Sequence, residues 1–417
     1  MNKGKKYIQV FEHEALYTDR GESKINVQQL EAMQLHHKTK HVKYYTLVHR
    51  GIKFNEYAGV LQVGSLIIEV LPKSDRFNDK GVWHNILISM LKTVGTLDIH
   101  ASNDSSLNLK SNSILELYFE LFINETERLL HKGLVKKYRK TENNLTSLKG
   151  KLNFATNIQK NIVHKERFYV SYYIYDKEHK LNSILYKTLK LLALINKNAV
   201  LSSRIGALFL VFPEMPEIKV NEKTFSDIIY NRKTEAYRSA IQIAKLLLLN
   251  FHPDIKRGKN DVLALMFDMN LLWEKFVLKS LNKYKQNEYT LRSQVPKNFW
   301  KPVKGRISTM KPDIIIRKED GTYLILDTKW KNLGRNNIQP EDLRQMYAYS
   351  KYHANAKTAL VYPGENNDSL KGNYYNEDSD SLSENECSLL PIEVCKDVRI
   401  WQKQISERVF EFFEKEI

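Results

Sequence analysis

The stretch KPDIIIRKEDGTYLILDTKW, residues 311–330, carries the strongest structural signal in the chain. Two apolar runs, 314–316 and 323–326, flank a polar segment that ends in Asp320 and Gly321. An Asp-Gly pair between two apolar runs is a strong signal for a hairpin turn. We therefore predict that this stretch forms an antiparallel β-hairpin.

Three charged side chains lie at one end of the predicted hairpin. Asp313 precedes the first strand, and Asp327 and Lys329 belong to the end of the second. Residues i and i+2 of a strand point to the same face, so Asp327 and Lys329 share a face and the hairpin returns Asp327 close to Asp313. Carboxylates beside an apolar sheet are costly unless something neutralises them, and Mg²⁺ prefers such oxygen ligands. The stretch predicts a divalent-metal site.

Pro312-Asp313 followed by Asp327-Thr328-Lys329 resembles the signature of the PD-(D/E)xK nucleases. The chemistry explains these residue types. Mg²⁺, which Mn²⁺ can replace, would bind Asp313 and Asp327 with help from a backbone carbonyl near Thr328, polarise a phosphodiester and lower the pKa of a bound water. Lys329 would orient or activate that water and offset charge on the phosphorus oxygens. The expected catalytic set is Asp313, Asp327 and Lys329.

The short motif alone is weakly specific, because the chain is rich in lysine. Residues 178–180 and 217–219 also match an acid, any residue and a lysine, and both are interpreted as solvated surface. Motif matches carry a risk of false positives. On the hairpin alone, an ordinary surface hairpin with charged ends is an equally good interpretation.

A helix upstream of the hairpin supplies a further carboxylate. Residues 269–281 have apolar side chains at helical spacing, which predicts an amphipathic helix. Glu274 lies within this pattern. It is either a salt-bridged residue at the edge of the core or a third carboxylate directed at the metal.

A second helix is predicted downstream, beginning at Pro340, since proline and acidic residues favour a helix start. Gln345 and Tyr349 are four residues apart and share one face of it. A Gln-x-x-x-Tyr helix recurs in one branch of the PD-(D/E)xK nucleases, where it lines the DNA side of the site; alternatively, Tyr349 is a core residue. Residues 357–363 predict a further strand. The order helix, hairpin, helix, strand favours a nuclease core.

Cations interleave with aromatic residues just before Asp313. Within residues 297–306, Lys301, Lys304 and Arg306 follow Phe-Trp. Lysine and arginine pair with phosphates, and aromatic rings stack on bases. We predict a DNA-binding loop here.

Composition is consistent with a polyanionic partner. The 417 residues contain 65 Lys and Arg against 48 Asp and Glu, a net charge of +17. Such an excess favours nucleic acid, although membrane surfaces and acidic proteins attract the same charge. Only two cysteines occur, without metal-binding spacing, which fits the reducing cytoplasm. Neither a secretory signal nor an apolar segment long enough to span a membrane is visible, so we expect no membrane association.

The length predicts more than one domain in a mixed α/β (α+β) chain. We expect a β-rich module at 1–75, a mainly helical region at 76–255 and the nuclease domain at 256–417, within which the polar residues 364–387 form a mobile surface insertion. The glycines of 59–64 do not form a phosphate loop, because Ser65 stands where the lysine is required. We therefore expect no nucleotide hydrolysis by this chain.

Most of the chain resembles the McrC family, the nuclease subunits of McrBC-type restriction systems. The similar stretches are EYAGVLQVGSLIIEVLPK (56–73), LKGKLNFATNIQKN (148–161), YDKEHKLNSILYKTLKLL (175–192), FDMNLLWEKFV (267–277), KPDIII (311–316), LILDTKWK (324–331) and QMYAY (345–349). The resemblance is thin over 76–140 and after 364.

The resemblance implies a C-terminal PD-(D/E)xK domain that cuts double-stranded DNA with Mg²⁺. It implies a separate partner, the hexameric AAA+ GTPase McrB, which recognises DNA that usually carries methylated cytosine. The N-terminal part of the McrC-like chain enters the McrB ring and stimulates GTP hydrolysis. Asp313, Asp327 and Lys329 match the catalytic set, with Glu274 as an added metal ligand and Gln345 and Tyr349 as supporting residues on the DNA side.

Two other interpretations remain open. The same core could belong to a stand-alone nuclease or a repair nuclease. The chain could also be a basic DNA-binding scaffold without catalysis, in which the hairpin is only structural.

Overall fold

The computed structural model describes residues 6–73, 79–94, 114–252, 261–331, 338–353, 356–365, 367–376 and 380–414. The chain is a mixed α/β protein, as the sequence predicts, and it divides into two compact units. The first unit joins Met1–Asp98 to His252–Ile417, and the second is Ile99–Phe251. Residues 253–260, where the sequence places a boundary, lie outside the described residues. The three-domain division therefore stays a prediction.

The N-terminal part of the first unit is built on a five-stranded sheet of order β1-β6-β5-β11-β10 and a three-stranded sheet of order β2-β4-β3. The elements are β1 (Lys6–Phe11), β2 (Ala15–Tyr17), α1 (Val27–Lys40), β3 (Tyr45–Val48), β4 (Gly51–Phe54), β5 (Tyr57–Val63), β6 (Leu66–Leu71), α2 (Lys80–Val94), β10 (Phe251–His252) and β11 (Val262–Asp268). Asn26 caps α1 through a reciprocal pair of hydrogen bonds with Gln29. The apolar residues of β5, β6 and α1 form a buried core.

Two glycines of this sheet have structural roles. Gly64 has a φ of +57° in the turn between β5 and β6, a conformation that glycine adopts without steric cost. At Gly59 a Cβ atom would lie 2.1 Å from the carbonyl oxygen of Leu265, so only glycine lets β11 pair this closely with β5. These roles account for the glycine spacing without a phosphate loop.

The C-terminal part of the first unit contains a six-stranded sheet of order β12-β15-β16-β17-β19-β18. Its elements are α9 (Met269–Tyr284), β12 (Tyr289–Ser293), β13 (Lys297–Trp300), β14 (Ser308–Met310), β15 (Ile314–Lys318), β16 (Tyr323–Thr328), α10 (Pro340–Tyr352), β17 (Lys357–Gly364), β18 (Leu370–Tyr375), β19 (Leu382–Glu393) and α11 (Val398–Glu414). Strands β15 and β16 are antiparallel, with Ile314 opposite Leu326, so the predicted hairpin is confirmed. The strand predicted at 357–363 is β17, parallel to β16.

Helices cover this sheet with apolar side chains. Met346 and Tyr349 of α10 pack in one cluster with Ile325 and Leu360 of the sheet. Helices α9 and α11 meet where the rings of Trp273 and Trp401 stack, 5.2 Å between centroids. Both predicted helices, α9 and α10, are therefore present and lie on the sheet that carries the hairpin.

The expectation of an insertion at 364–387 is wrong for most of its described residues. Residues 370–375 form β18, and 382–393 form β19, which pairs with β17 in parallel and with β18 in antiparallel orientation. The segment 387–392 is buried. The polar composition of residues 364–387 reflects the edge strand β18 and the ion pair between Lys371 and Glu386, and not an absence of regular structure.

The second unit is mainly helical, with a long β-ribbon. Its elements are α3 (Ile114–Lys132), β7 (Lys137–Leu145), β8 (Lys151–Leu152), α4 (Phe154–Lys160), β9 (Phe168–Asp176), α5 (Lys180–Ile195), α6 (Ala199–Val211), α7 (Glu222–Ser226), a 3₁₀ turn (Glu235–Tyr237) and α8 (Arg238–Asn250). A buried hydrogen bond from the Tyr237 hydroxyl to Asn182 Oδ1, at 2.9 Å, ties the 3₁₀ turn to α5. None of the described helices in either unit combines the length and the apolar character that a bilayer span requires.

Candidate active site

Asp313 is fixed by the hairpin itself. Its Oδ2 atom accepts hydrogen bonds from the backbone N–H of Thr328, at 2.8 Å, and from the Thr328 hydroxyl, at 2.9 Å. Thr328 is the last residue of β16 and Asp313 directly precedes β15, so these bonds close the open end of the hairpin. The structure thus brings together the two strand ends that the sequence predicts to meet.

Asp327 lies at this end of the hairpin and is only 2% exposed. Burial, followed by the negative charge of Asp313, raises the pKa of Asp327 to about 6, although Lys329 opposes that rise. The Lys329 ammonium lies 2.8 Å from Asp327 Oδ2 as an ion pair, and no well-oriented hydrogen bond from the described residues reaches this oxygen. Asp327 is therefore a buried carboxylate whose charge is incompletely compensated.

Lys329 is the cation of the site. Burial lowers its pKa, but Asp327, Asp342 and Asp313 outweigh this effect, so the pKa of Lys329 lies above its usual value. Asp342 Oδ1, at the start of α10, is 3.5 Å from the ammonium. The side chain is consequently charged at neutral pH.

Gln294 links two carboxylates and is a residue that the sequence did not reveal. Its Nε2 atom donates to Glu274 Oε1 at 2.7 Å and to Asp313 Oδ1 at 3.0 Å. Its backbone N–H also donates to the Asp313 carbonyl at 3.1 Å. The φ of Gln294 is +53°, a conformation that costs a non-glycine residue energy and that clusters at functional sites. Neither this φ nor the bridging could be seen in the sequence.

Glu274 faces the site from α9. Burial, and then the charge of Asp313, raise the pKa of Glu274, although Gln294 partly opposes this. Glu274 accepts a hydrogen bond from Gln294, which also donates to Asp313. This contact favours a carboxylate of the site over a boundary salt bridge. Metal binding by Glu274 stays a prediction.

Gln345 and Tyr349 line the site from α10. Gln345 Nε2 donates to the Tyr349 hydroxyl at 2.7 Å and approaches Asp327 Oδ1 at 3.3 Å. Its Oε1 lies 3.5 Å from the Lys329 ammonium. Tyr349 is 5% exposed, and burial raises the pKa of its hydroxyl. Tyr349 is therefore a core residue that also positions Gln345; contact of either residue with DNA stays a prediction.

Lys301, Lys304 and Arg306 lie on the exposed loop between β13 and β14. The structure leaves these three side chains open to solvent, as a DNA-binding loop requires. Their role in binding stays a prediction.

The chemistry of the donor set fits a divalent cation bound by the two aspartates. Mg²⁺ commonly takes one or two carboxylates and keeps several waters, so Asp313 and Asp327 suffice. The buried Oδ2 of Asp327 and the mutual repulsion of the two carboxylates are what a cation would relieve. In the described part of the chain, no group of three or more His, Cys, Asp or Glu side chains is arranged to hold a metal. A three-carboxylate centre that includes Glu274 is thus not preformed.

Taken together, the fold is a mixed α/β chain with a carboxylate and lysine site at one end of a sheet hairpin. The family model for the McrBC 5-methylcytosine restriction system component matches residues 52–363. The chain therefore belongs to the McrBC restriction family, which confirms the resemblance seen in the sequence.

Two solved assemblies from Thermococcus gammatolerans contain chains of similar fold. One is a refined half-complex from a tetradecameric assembly of McrB AAA+ hexamers with bound McrC; the matched chain is 18% identical with a TM-score of 0.72, over 98% of this chain and 100% of that chain. The other is a cryo-EM structure of the McrBC complex, 19% identical with a TM-score of 0.51, over 68% of this chain and 90% of that chain. No curated protein matches the chain.

Proposed function

We propose that this chain is the Mg²⁺-dependent DNA endonuclease subunit of a McrBC-like restriction system. It hydrolyses phosphodiester bonds of foreign, methylated double-stranded DNA in the cytoplasm, through a PD-(D/E)xK site. The observation that supports this most strongly is the meeting of Asp313, Asp327 and Lys329 at one end of the hairpin, in a chain that belongs to the McrBC family.

Each residue of the site has a task in this proposal. Asp313 and Asp327 hold the cation, and Gln294 keeps Asp313 and Glu274 in place. The bound Mg²⁺ supplies polarisation of the phosphate and a water of lowered pKa. The charged Lys329 stabilises negative charge that develops on the phosphorus oxygens and orients the attacking water. Gln345 and Tyr349 support Lys329 from the side on which DNA is expected.

The proposed partner is a McrB-like hexameric AAA+ GTPase. In the similar Thermococcus assembly, McrC is bound to McrB AAA+ hexamers. We infer a partner of the same kind here, with residues 1–75 as the partner-binding module that stimulates GTP hydrolysis. The partner supplies nucleotide hydrolysis, since this chain has no phosphate-loop sequence.

Metal binding tests the site without depending on catalysis. Calorimetric titration with Mn²⁺ should show binding to the wild-type chain and a roughly tenfold or greater loss of affinity in Asp313→Asn, because a neutral amide replaces one of two anionic ligands. Glu319→Gln is the matched control, because Glu319 is an exposed carboxylate in the turn at the opposite end of the same hairpin. Equal affinity in wild type and Asp313→Asn would refute the metal site.

A cleavage assay separates the proposal from its alternatives. Methylated plasmid is incubated with Mg²⁺ and the chain, with and without a McrB-like GTPase and GTP. Cutting that requires the partner and GTP supports the restriction-subunit proposal. Cutting by the chain alone favours a stand-alone or repair nuclease, and DNA binding without cutting favours the scaffold.

A further inference from the structure

Residues 295–312 form a segment whose two ends both lie at the candidate site. Gln294 precedes the segment and Asp313 follows it, and the backbone N–H and side-chain amide of Gln294 both donate to Asp313, at 3.1 Å and 3.0 Å. Between these two residues the chain forms the antiparallel pair β13 and β14 with an intervening loop. We call residues 295–312 the projecting hairpin. Its base therefore lies at the carboxylate that is proposed to bind the metal.

The outer part of the projecting hairpin is apolar and exposed. All four residues of β13 are exposed, and Trp300 is 60% accessible. Val303 is fully exposed and Ile307 is about half exposed. A single exposed apolar residue needs no explanation, but three such residues within positions 300–307 are typical of a surface that a partner covers.

The charge of the projecting hairpin indicates the chemistry of that partner. It contains five cations and no Asp or Glu; the cations are Lys297, Lys301, Lys304, Arg306 and Lys311. Such an uncompensated cluster repels itself unless an anion lies against it. A nucleic-acid duplex has phosphate charges on its backbone and apolar base surfaces between them. It therefore complements both the cations and the exposed apolar residues of the projecting hairpin.

The base of the projecting hairpin is held by α10. The ring of Phe299 lies 5.3 Å from that of Tyr352, and the Lys297 ammonium donates to the Tyr352 carbonyl. Met310, at the other side of the base, is buried in the cluster that also contains Met346 of α10. These contacts fix the base of the projecting hairpin against α10.

We propose that the projecting hairpin is a wedge that enters the DNA duplex beside the scissile phosphate. Lys301, Lys304 and Arg306 pair with phosphates, while Trp300 and Val303 insert between or against base steps and distort the duplex. This inference rests on the proposed nuclease function and names the element that grips its substrate. Distortion next to Asp313 would bring a phosphate out of the regular backbone path and toward the carboxylates.

The test separates phosphate pairing from insertion. Binding of the full-length chain to short duplexes is measured by fluorescence anisotropy without divalent metal, so that no cutting occurs. Insertion is followed by the fluorescence of 2-aminopurine placed at successive positions, which rises when a base is unstacked. Thermal unfolding by circular dichroism confirms that each variant is folded.

Two variants should behave differently. The triple variant Lys301→Gln, Lys304→Gln and Arg306→Gln should lose roughly tenfold or more in DNA affinity. The slope of log K against log salt concentration should fall in magnitude by about 2.7, or about 0.9 for each phosphate contact. The double variant Trp300→Ser and Val303→Ser should keep most of its affinity but lose the 2-aminopurine signal. Val163→Ser with Leu210→Ser, two similarly exposed apolar residues of the second unit, is the matched control and should change neither reading.

Three outcomes overturn the wedge. The first is unchanged DNA affinity in the triple variant. The second is a 2-aminopurine signal that is absent with the wild-type chain or unchanged in the double variant. The third is that the variants lose assembly with a McrB-like partner and not DNA binding, which would assign the projecting hairpin to a protein surface. Failure of the nuclease proposal is distinguishable, because metal binding and cutting are scored separately on Asp313→Asn. If the chain does not cut DNA but both variants have the expected effects, the insertion proposal is supported and the nuclease proposal is refuted.

Discussion

Gln294 is the residue on which the geometry of the carboxylates depends most directly. Its amide donates hydrogen bonds to both Glu274 and Asp313. Burial, and then the negative charge of Asp313, raise the pKa of Glu274. The backbone at Gln294 has a positive φ, a conformation that persists in a non-glycine residue only when the surrounding structure holds it. These contacts position the two carboxylates, of which Asp313 is proposed to bind the metal.

The first prediction concerns this orientation. Gln294→Ala should weaken Mn²⁺ binding by roughly 10–100-fold, as the loss of groups that orient metal ligands generally does. Calorimetry at neutral pH measures the change, and Gln159→Ala on the exposed face of α4 is the matched control. Unaltered affinity in Gln294→Ala would mean that the amide is structural.

Glu12 is a second buried carboxyl, on the strand β1 side of the same unit. Its Oε1 accepts from the Trp330 indole N–H and from the Lys73 backbone N–H, each at 2.8 Å, while none of the residues that the structure describes donates a hydrogen bond to Oε2. Burial raises the pKa of Glu12 from 4.5 to about 7. Since Trp330 directly follows Lys329, this carboxyl supports the residue next to Lys329.

The second prediction follows from this pKa. The folded chain binds the Glu12 proton more tightly than the unfolded chain, so stability that is present below about pH 4.5 is lost as the pH rises through 7. In Glu12→Gln this loss should disappear. The free energy of unfolding in urea, compared at about pH 5 and about pH 8, should fall in wild type by up to roughly 3 kcal/mol more than in Glu12→Gln. Parallel pH dependence in the two proteins would contradict the assignment.

At the scale of single elements, the sequence predicted what local patterns can encode. Two apolar runs around Asp320-Gly321 give the hairpin β15–β16, and Pro340 with two acidic residues gives the start of α10. Strand β19 escaped prediction, because it contains Asn385 and Glu386, both of which are buried. Glu386 is tolerated there because the Lys371 ammonium of β18 lies 2.8 Å from its carboxylate. A pairing of this kind is fixed by the sheet and is not visible along the sequence.

The third prediction tests this ion pair. Lys371→Met leaves the Glu386 carboxylate buried without its partner and should destabilise the chain by roughly 1–3 kcal/mol. The double variant Lys371→Met with Glu386→Leu should recover most of that loss, because it removes both charges. The free energies of unfolding in urea of the wild type, the two single variants and the double variant form a double-mutant cycle.

Arg344→Ala is the control, because it breaks an exposed ion pair with Glu341 and should lower the free energy of unfolding by less than about 1 kcal/mol. An additive cycle would show that the two charges do not interact.

At the scale of the whole molecule, the first unit combines distant parts of the sequence. Strand β11 extends the N-terminal sheet by pairing with β5, although about two hundred residues separate them in the chain. Strand propensity identifies a strand but not its partner, so this pairing could not be predicted. A cluster of tryptophan rings lies in the same unit: Trp83 and Trp273 both contact Trp330, at 6.4 and 5.8 Å between centroids. The residue that follows Lys329 is thereby packed against α2 and α9.

The fourth prediction concerns assembly with the partner. Asp313→Asn should stimulate GTP hydrolysis by a McrB-like hexamer as strongly as wild type, because the change removes a proposed metal ligand and leaves the proposed partner-binding module, residues 1–75, unchanged. GTPase rates and mass photometry of the mixed complex measure this. A variant that neither assembles nor stimulates would show that the site and the partner-binding surface are not separable.

The most direct measurement of the central claim is cleavage of methylated plasmid by Lys329→Ala in the presence of a McrB-like partner, GTP and Mg²⁺. The proposal predicts that wild type cuts, and that Lys329→Ala loses about 100-fold or more in rate while GTP hydrolysis and assembly are unchanged. A purified Lys329→Ala protein that cuts at the wild-type rate would contradict the assignment of this hairpin as the catalytic centre.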